Sequence, residues 1–131
     1  MKIENIKFKA KRLDNGEWVY GSLIRSTAGV KERAYIIDNF SSMSDYSVVG
    51  IDPSTVCQFT GLRDKNGEEV WEHDFLVSPC LKGEVIFNNG CFRIKKDDGS
   101  SYPFTTLFVM NGKIDYCRID GNMFDRKEGE K

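Results

Sequence analysis

Apolar and polar residues alternate in short segments along this chain, and corners rich in glycine, asparagine and aspartate separate the segments. An alternation with a period of two places apolar side chains on one face of a β-strand and polar side chains on the other. Asn-Gly and Asp-Gly corners between such segments are typical of tight β-hairpins. The pattern therefore predicts a mainly β protein that contains little helix.

The pattern is clearest in residues 58–77, where two apolar arms flank an Asn-Gly corner. Two registers of this hairpin compete. A two-residue loop would place Asp64 opposite Glu69, and two like charges repel each other. A three-residue loop made of residues 65–67, with its glycine in the left-handed region, places Asp64 opposite Glu68. It also gives an opposite-charge pair, Arg63 with Glu69, and an apolar pair, Leu62 with Val70. We therefore predict the three-residue loop, in which the Asp64 carboxylate accepts a hydrogen bond from a nearby backbone N–H.

Residues 6–12 alternate between apolar and basic side chains, which predicts a half-buried strand with Ile6, Phe8 and Ala10 facing inward. The opposite face would form a cationic ridge, made of Lys7, Lys9, Lys11 and Arg12. One interpretation is a solvated face whose lysines protect an edge strand against further pairing. The other is a surface that contacts the phosphates of a nucleic acid. Acidic residues nearby in the sequence favour the solvated face.

A turn at residues 14–16 and the segment 17–24 predict the second strand of an N-terminal hairpin. Trp18 and Tyr20 would share one face of this strand. Two aromatic rings at that spacing either pack in the core or form an exposed binding platform, and core packing is the commoner arrangement.

The remainder of the N-terminal half alternates less regularly. Residues 34–38 predict a buried strand, whereas residues 39–47, which include four serines, predict a loop. Pro53 lacks a backbone N–H, so it either begins a strand or occupies the first position of a short helical turn that Asp52 or Ser54 caps.

Residues 84–95 predict a second well-defined hairpin, with a two-residue type I′ loop at Asn89-Gly90. In this register two apolar pairs lie on one face, Phe87 with Phe92 and Val85 with Ile94. A slip by one residue would expose these side chains at about 1.5–3 kcal/mol each, so the register is strongly determined.

In the C-terminal segments the pattern does not always distinguish a strand from a helix. Phe104–Met110 is an apolar run that fits a strand or a short helix equally well. Residues 114–119 alternate as a final strand. The charged residues 126–131 predict a tail that frays.

Short strands joined by Gly and Asn turns in this order predict a small SH3-like β-barrel in the C-terminal half, with the N-terminal β-hairpin region packed on it. The length is that of one domain, over residues 1–131. If this domain subdivides, we expect an N-terminal hairpin region at residues 1–52, a barrel at residues 53–125 and the tail at residues 126–131.

Three short motifs of the central stretch occur together with several flanking segments. They are residues 58–62, 64–72 and 74–76, accompanied by residues 6–12, 15–21, 49–56, 83–87 and 118–125. The combination resembles the YopX family of phage and prophage proteins and spans nearly the whole chain. This resemblance implies a phage or prophage accessory protein and no particular reaction. Where the family usually has glycine this chain has His73, a residue type that tolerates a positive φ with modest strain.

The chain of 131 residues contains 19 basic and 20 acidic residues, so its overall charge gives no electrostatic argument for a polyanionic partner. No two cysteines have the spacing of a zinc knuckle, and we interpret all four as reduced: Cys57, Cys80, Cys91 and Cys117. The first twelve residues do not resemble a signal peptide, and no apolar run is long enough to span a membrane. We therefore expect a cytoplasmic protein without metal ions or cofactors.

His73 limits the catalytic chemistry because it is the single histidine. A nucleophilic site would need a cysteine to meet it in space, and Cys57 and Cys80 are the nearest in sequence. Glu72 and Asp74 could pair on one strand face, although a solvated charged face is commoner. We therefore predict no catalytic residues, and expect a non-enzymatic accessory protein that acts through a protein partner or through self-association. The alternative is a nucleic-acid-binding small β-barrel module that uses the cationic ridge.

Overall fold

The computed structural model describes residues 2–29, 31–107 and 109–126, apart from the side chains of residues 39 and 105. The chain divides into two compact units, Met1–Phe59 and Thr60–Lys131. The division falls within a strand, several residues later than the boundary considered above. Nothing tests the prediction of one domain, which stays a prediction.

The first unit is an antiparallel sheet. Its strands are β1 (Phe8–Lys11), β2 (Trp18–Ser26), β3 (Arg33–Ser42), β4 (Asp45–Ile51) and the first residues of β5 (Cys57–Arg63). They lie in the order β4-β3-β2-β1-β5. The N-terminal hairpin is confirmed, with Lys11 opposite Trp18. The interpretation of β1 as a protected edge strand is wrong, because β1 pairs with β2 on one side and β5 on the other.

One face of this sheet carries the core of the first unit. Its buried residues are Ala10, Val19, Ala34, Ile36 and Ile51. Gly21 lets β2 approach β3 closely, since a Cβ atom at this position would overlap the carbonyl oxygen of Ile37. The inward direction predicted for Ala10 is confirmed, whereas the Ile6 side chain is 50% exposed.

The loop predicted for residues 39–47 is wrong, since β3 continues to Ser42 and β4 already begins at Asp45. The rings of Phe40 and Tyr46 stack across the tip of this hairpin, with centres 5.6 Å apart. The Ser41 hydroxyl donates to the Asp45 carboxylate at 2.8 Å. A serine-rich composition is typical of loops, but here the hydroxyls and the ring pair complete a hairpin tip.

Short 3₁₀ turns form in two segments for which the sequence allowed either a strand or a helical turn. Pro53–Thr55 is such a turn, and the Asp52 carboxylate caps it by accepting from the Ser54 backbone N–H at 3.0 Å. This confirms the helical alternative for Pro53. A second turn covers Phe104–Thr106, while residue 108 lies outside the described residues.

The second unit begins with the end of β5, which pairs with β6 (Glu69–Trp71). A five-stranded antiparallel sheet follows, made of β7 (Asp74–Ser78), β8 (Leu81–Asn88), β9 (Cys91–Lys95), β10 (Ser101–Pro103) and β11 (Arg118–Asn122). The strand order is β10-β9-β8-β7-β11. The mainly β fold is confirmed. The pairings of the described residues do not close either sheet into a barrel, so the SH3-like barrel is not confirmed.

The three-residue loop of the central stretch is confirmed. Gly67 has a φ of 81°, and the Asp64 N–H donates to the carbonyl of Glu68 at 2.8 Å. The Arg63 guanidinium lies 3.6 Å from the Glu69 carboxylate, as the opposite-charge pairing requires. The observed register is therefore the one that pairs Glu69 with Arg63 rather than with Asp64.

The hairpin of β8 and β9 also has the predicted register. Phe87 lies opposite Phe92, and Val85 opposite Ile94. Both loop residues have the positive φ of a type I′ turn, 52° at Asn89 and 80° at Gly90.

The last strand was predicted at residues 114–119 but begins only at Arg118. Ile114 and Cys117 are fully buried because a turn, with the Cys117 N–H directed at the Ile114 carbonyl, faces both inward. Together with residues from six other positions they form the core of the second unit: Val70, Leu76, Leu81, Val85, Ile94 and Leu107. Of the predicted tail, residues 127–131 lie outside the described residues.

Candidate functional site

The middle of the face of β2, β3 and β4 opposite the core of the first unit is apolar, whereas Arg33, two residues before Tyr35 on β3, adds a charge at its margin. Strand pairing places Ile24, Tyr35 and Gly50 in one row across the three strands. Ser22, Ile37 and Val48 form the next row. Directly opposed residues on paired strands point to the same side of a sheet. Tyr46 precedes Val48 by two residues on β4 and so shares its face, and the Phe40 ring stacks on that of Tyr46. We call these six positions, together with Phe40 and Tyr46, the outer face.

The outer face is largely accessible to solvent. The side chains of Ile24, Phe40, Tyr46 and Val48 are exposed by 43, 56, 46 and 54%, respectively. None of its eight residues is charged. An exposed, contiguous apolar patch on a folded unit is typical of an interaction surface.

The sequence reading missed this surface, because residues 34–38 were predicted simply as a buried strand. The structure buries Ala34 and Ile36 on one side of β3 and leaves Tyr35 and Ile37 half-buried on the other. A strand with apolar residues at consecutive positions has two apolar faces, and that was the available signal.

The cationic ridge differs from its prediction. The ammonium groups of Lys9 and Lys11 lie 4.3 and 4.4 Å from the ring centre of Trp18. Lys9 is only 7% exposed. These positions fit cation–π contacts within the first unit, and a ridge solvated along its whole length is therefore wrong. Trp18 and Tyr20 lie outside the core cluster of the first unit and face these lysines instead.

The other two ridge residues are also engaged. The Lys7 ammonium lies 4.6 Å from the Phe59 ring centre. The Arg12 guanidinium is paired with the carboxylate of Asp14 at 2.8 Å. Contact between the ridge and nucleic acid is not tested by these distances and stays a prediction.

His73 has a φ of 71°, the positive value that this residue type tolerates where the family usually has glycine. Its Nδ1 lies 2.8 Å from the Glu84 carboxylate, and its Nε2 lies 3.5 Å from the Glu72 carboxylate. The hydrogen bond to Glu84 raises the pKa of His73, and the neighbouring negative charges add to this effect, although partial burial opposes it. The ring of Phe124 meets the imidazole edge-on, with centres 5.0 Å apart.

The backbone of His73 links three segments of the second unit. Its N–H donates to the Val85 carbonyl at 2.6 Å, and its carbonyl accepts from the Met123 N–H at 2.8 Å. His73 therefore contacts carboxylates rather than the thiol that a cysteine nucleophile would need. It holds the turn before β7 against β8 and the end of β11.

Each of the cysteines proposed for that nucleophile has a different neighbour. The Cys57 thiol is directed at the Thr55 carbonyl at 3.4 Å, and the Cys80 thiol lies 3.8 Å from the Ser78 hydroxyl. Within the described part of the chain, no three His, Cys, Asp or Glu side chains are grouped so that they could hold a metal ion. No helix among the described residues is long and apolar enough to cross a membrane.

The most buried carboxylate among the described residues, that of Asp64, is bound by backbone groups. Asp64 is 1% exposed. Its two oxygens accept hydrogen bonds from the N–H groups of Asn66 and Glu68 at 2.9 Å and of Ile119 at 3.0 Å. The predicted turn bond is thus confirmed. The contact with Ile119 was missed, because nothing local signals a partner 55 residues away.

These features define a mainly β protein with two antiparallel sheets and an exposed apolar face. The family model described as "YopX protein" matches residues 7–127, and the chain belongs to the YopX family. No curated protein matches this chain.

Proposed function

We propose that this protein is a non-catalytic phage or prophage accessory protein that acts in the cytoplasm through self-association, and that the outer face is its contact surface. The observation that carries this proposal is the uncharged, solvent-accessible character of the outer face. The YopX family membership supports a phage or prophage origin. The four cysteines, none of them in a disulfide, support a reducing compartment.

A second copy of the chain is the occupant that the charge pattern favours. In a two-fold symmetric interface each patch meets itself, so a charged patch would repel its own copy. The outer face avoids this repulsion, since it offers only aliphatic, aromatic and small polar side chains. Two such faces could pack as a sandwich with the sheets about 10 Å apart.

The size of the face sets the expected strength of the contact. Strand rise and spacing give roughly 20 Å by 15 Å, so two copies would bury on the order of 600 Å² in total. Stable interfaces usually bury about 1,600 Å², and smaller ones belong to transient complexes. We therefore expect a weak dimer, with a dissociation constant on the order of 10–100 μM.

The surroundings of His73 support a non-catalytic role. Its two ring nitrogens face the carboxylates of Glu84 and Glu72, and its backbone ties neighbouring segments together. These contacts explain the residue as a structural link. They require no substrate.

Sedimentation velocity over a concentration series tests the proposal. The wild-type chain should dimerise in the range above, and Val48→Glu should weaken the dimer at least tenfold, because two carboxylates would meet across it. Val48 is half exposed, so this variant should still fold. Ile3→Glu is the matched control, since Ile3 is 85% exposed and lies outside the outer face.

Three outcomes would contradict the proposal. A wild-type chain that stays monomeric up to about 1 mM removes the second copy as occupant. An equal effect of Ile3→Glu removes the outer face as the contact surface. If the wild type is monomeric and captures another protein, and Val48→Glu no longer captures it, the outer face binds a different partner.

A further inference from the structure

A basic cleft lies on the second unit, on the side of the five-stranded sheet opposite its core. Its volume is about 550 Å³, within the usual range for small-molecule sites. The residues that line it are Phe75, Lys82, Gly83, Glu84, Lys95, Lys96, Asp97 and Arg126. The sequence predicted Arg126 as the first residue of a fraying tail, and for this residue the prediction is wrong, because its side chain packs on Phe75.

Strand pairing explains how these side chains meet. Phe75 on β7 lies opposite Glu84 on β8, and Glu84 lies opposite Lys95 on β9. The three therefore form one row across the sheet and share a face. Lys82 precedes Glu84 by two residues on β8, and so it lies on the same face.

Arg126 contributes a planar group to this cleft. Its guanidinium carbon lies 3.5 Å from the centre of the Phe75 ring, which is the distance of a stacked pair. Both side chains are half-buried. The cleft thus contains a stack of a cation and an aromatic ring beside three lysines.

The charge of the cleft is positive, although the whole chain has a net charge of −1. Four cations line it, against the carboxylates of Glu84 and Asp97. The Glu84 carboxylate is also bound to His73 at 2.8 Å, which offsets part of its negative charge when the imidazole is protonated. The surface of the cleft therefore favours anions.

We infer that this cleft binds a nucleotide, with its phosphate between Lys82 and Lys95 and its base against the Phe75–Arg126 stack. Ammonium groups bind phosphate oxygens through charge-assisted hydrogen bonds. Nucleic-acid bases stack on aromatic rings and on guanidinium planes. A nucleotide carries a phosphate, which suits the lysines, and a planar base, which suits the Phe75–Arg126 stack. A simple inorganic anion suits only the lysines. This inference does not depend on the outer face, which belongs to the other unit.

Calorimetric titration of the full-length chain tests the inference, with adenosine monophosphate, inorganic phosphate and an eight-residue oligothymidylate as probes. Adenosine monophosphate should bind with a dissociation constant on the order of 10–100 μM, from the usual binding free energy per ligand atom. Inorganic phosphate should bind at least tenfold more weakly. If the oligonucleotide binds at least tenfold more tightly than adenosine monophosphate, the cleft binds a nucleic-acid strand. If the two probes bind with equal affinity, the cleft binds the free nucleotide.

Variants assign the binding to the cleft. The double variant Lys82→Ala/Lys95→Ala should weaken nucleotide binding at least tenfold, and it should lower the salt dependence of oligonucleotide binding by about 1.4 in the slope of log K against log salt. Phe75→Leu should weaken the mononucleotide but not inorganic phosphate. Lys31→Ala, an exposed lysine of the first unit, is the matched control and should change nothing.

The inference is overturned if no probe gives saturable binding, or if Lys31→Ala weakens binding as much as the double variant. Equal affinities for inorganic phosphate and adenosine monophosphate would overturn the assignment of the Phe75–Arg126 stack to a base. Circular dichroism of each variant separates a loss of binding from a loss of fold.

Discussion

Replacement of Asp64 by alanine should destabilise the second unit strongly. The side chain is buried, and its carboxylate accepts three backbone N–H groups at 2.9–3.0 Å. Two of these donors belong to the turn itself, Asn66 and Glu68, and the third belongs to Ile119 on β11. Alanine would leave all three without this acceptor.

The structure allows the size of the effect to be worked out. A buried donor that loses its partner costs about 1–3 kcal/mol. Asn66 and Glu68 are exposed residues, so water can replace the carboxylate there and the cost is about 1 kcal/mol each. Ile119 is half-buried, and about 2 kcal/mol is expected for its N–H. The sum, about 4 kcal/mol, is a large part of the 5–15 kcal/mol that stabilises a typical domain.

Asp64→Asn should have a smaller effect. Its amide oxygen could still accept from the two turn N–H groups, while its NH₂ group would face the N–H of Ile119 without an acceptor between them. About 2 kcal/mol is expected for this variant. The order of stability should therefore be wild type, then asparagine, then alanine.

Urea unfolding provides the measurement. The chain has two tryptophans, so a Trp18→Phe background leaves Trp71, which is 4% exposed in the second unit, as the fluorescent reporter. Asp115→Ala is the control, because this carboxylate is 63% exposed, and a change within about 0.5 kcal/mol is expected. A loss below about 1 kcal/mol in Asp64→Ala would show that the buried hydrogen bonds are not what stabilises the turn.

Two further changes should have measurable effects on stability. The pKa of His73 is raised from its ordinary value of 6.5, so protonation stabilises the fold. That contribution is complete below about pH 6.5 and is lost as the pH rises through the higher folded-state pKa. His73→Asn, which tolerates the positive φ, should remove this pH dependence of the unfolding free energy; an unchanged pH profile would exclude His73 as its source. Gly83→Ala should cost about 2 kcal/mol or more in urea unfolding, because its Cβ would lie 2.5 Å from Ile94 Cγ2 and 2.8 Å from a backbone oxygen. Gly50→Ala, with 3.6 Å to its nearest neighbour, is the control, and equal losses in both would contradict the steric argument.

The candidate surfaces were less predictable than the turns. The outer face combines Ile24, Ile37 and Val48 from three strands, and its exposure depends on what covers each side of the sheet. The basic cleft brings Phe75 and Arg126 together from positions 51 residues apart in the numbering. Alternation within one strand shows which side chains share a face, but not which other segments cover that face. For this reason Lys9 was expected in solvent, whereas its ammonium group lies over the Trp18 ring.

The sequence by itself determined the features that depend on a few neighbouring residues. The left-handed glycine at Gly67 and the type I′ turn at Asn89 follow from local sterics, which act within a turn whatever surrounds it. Only the tertiary structure decided which strands flank β1 and that Asp64 reaches Ile119. These depend on contacts between distant segments, whose free energies are set by burial and packing and leave no periodic trace in the chain.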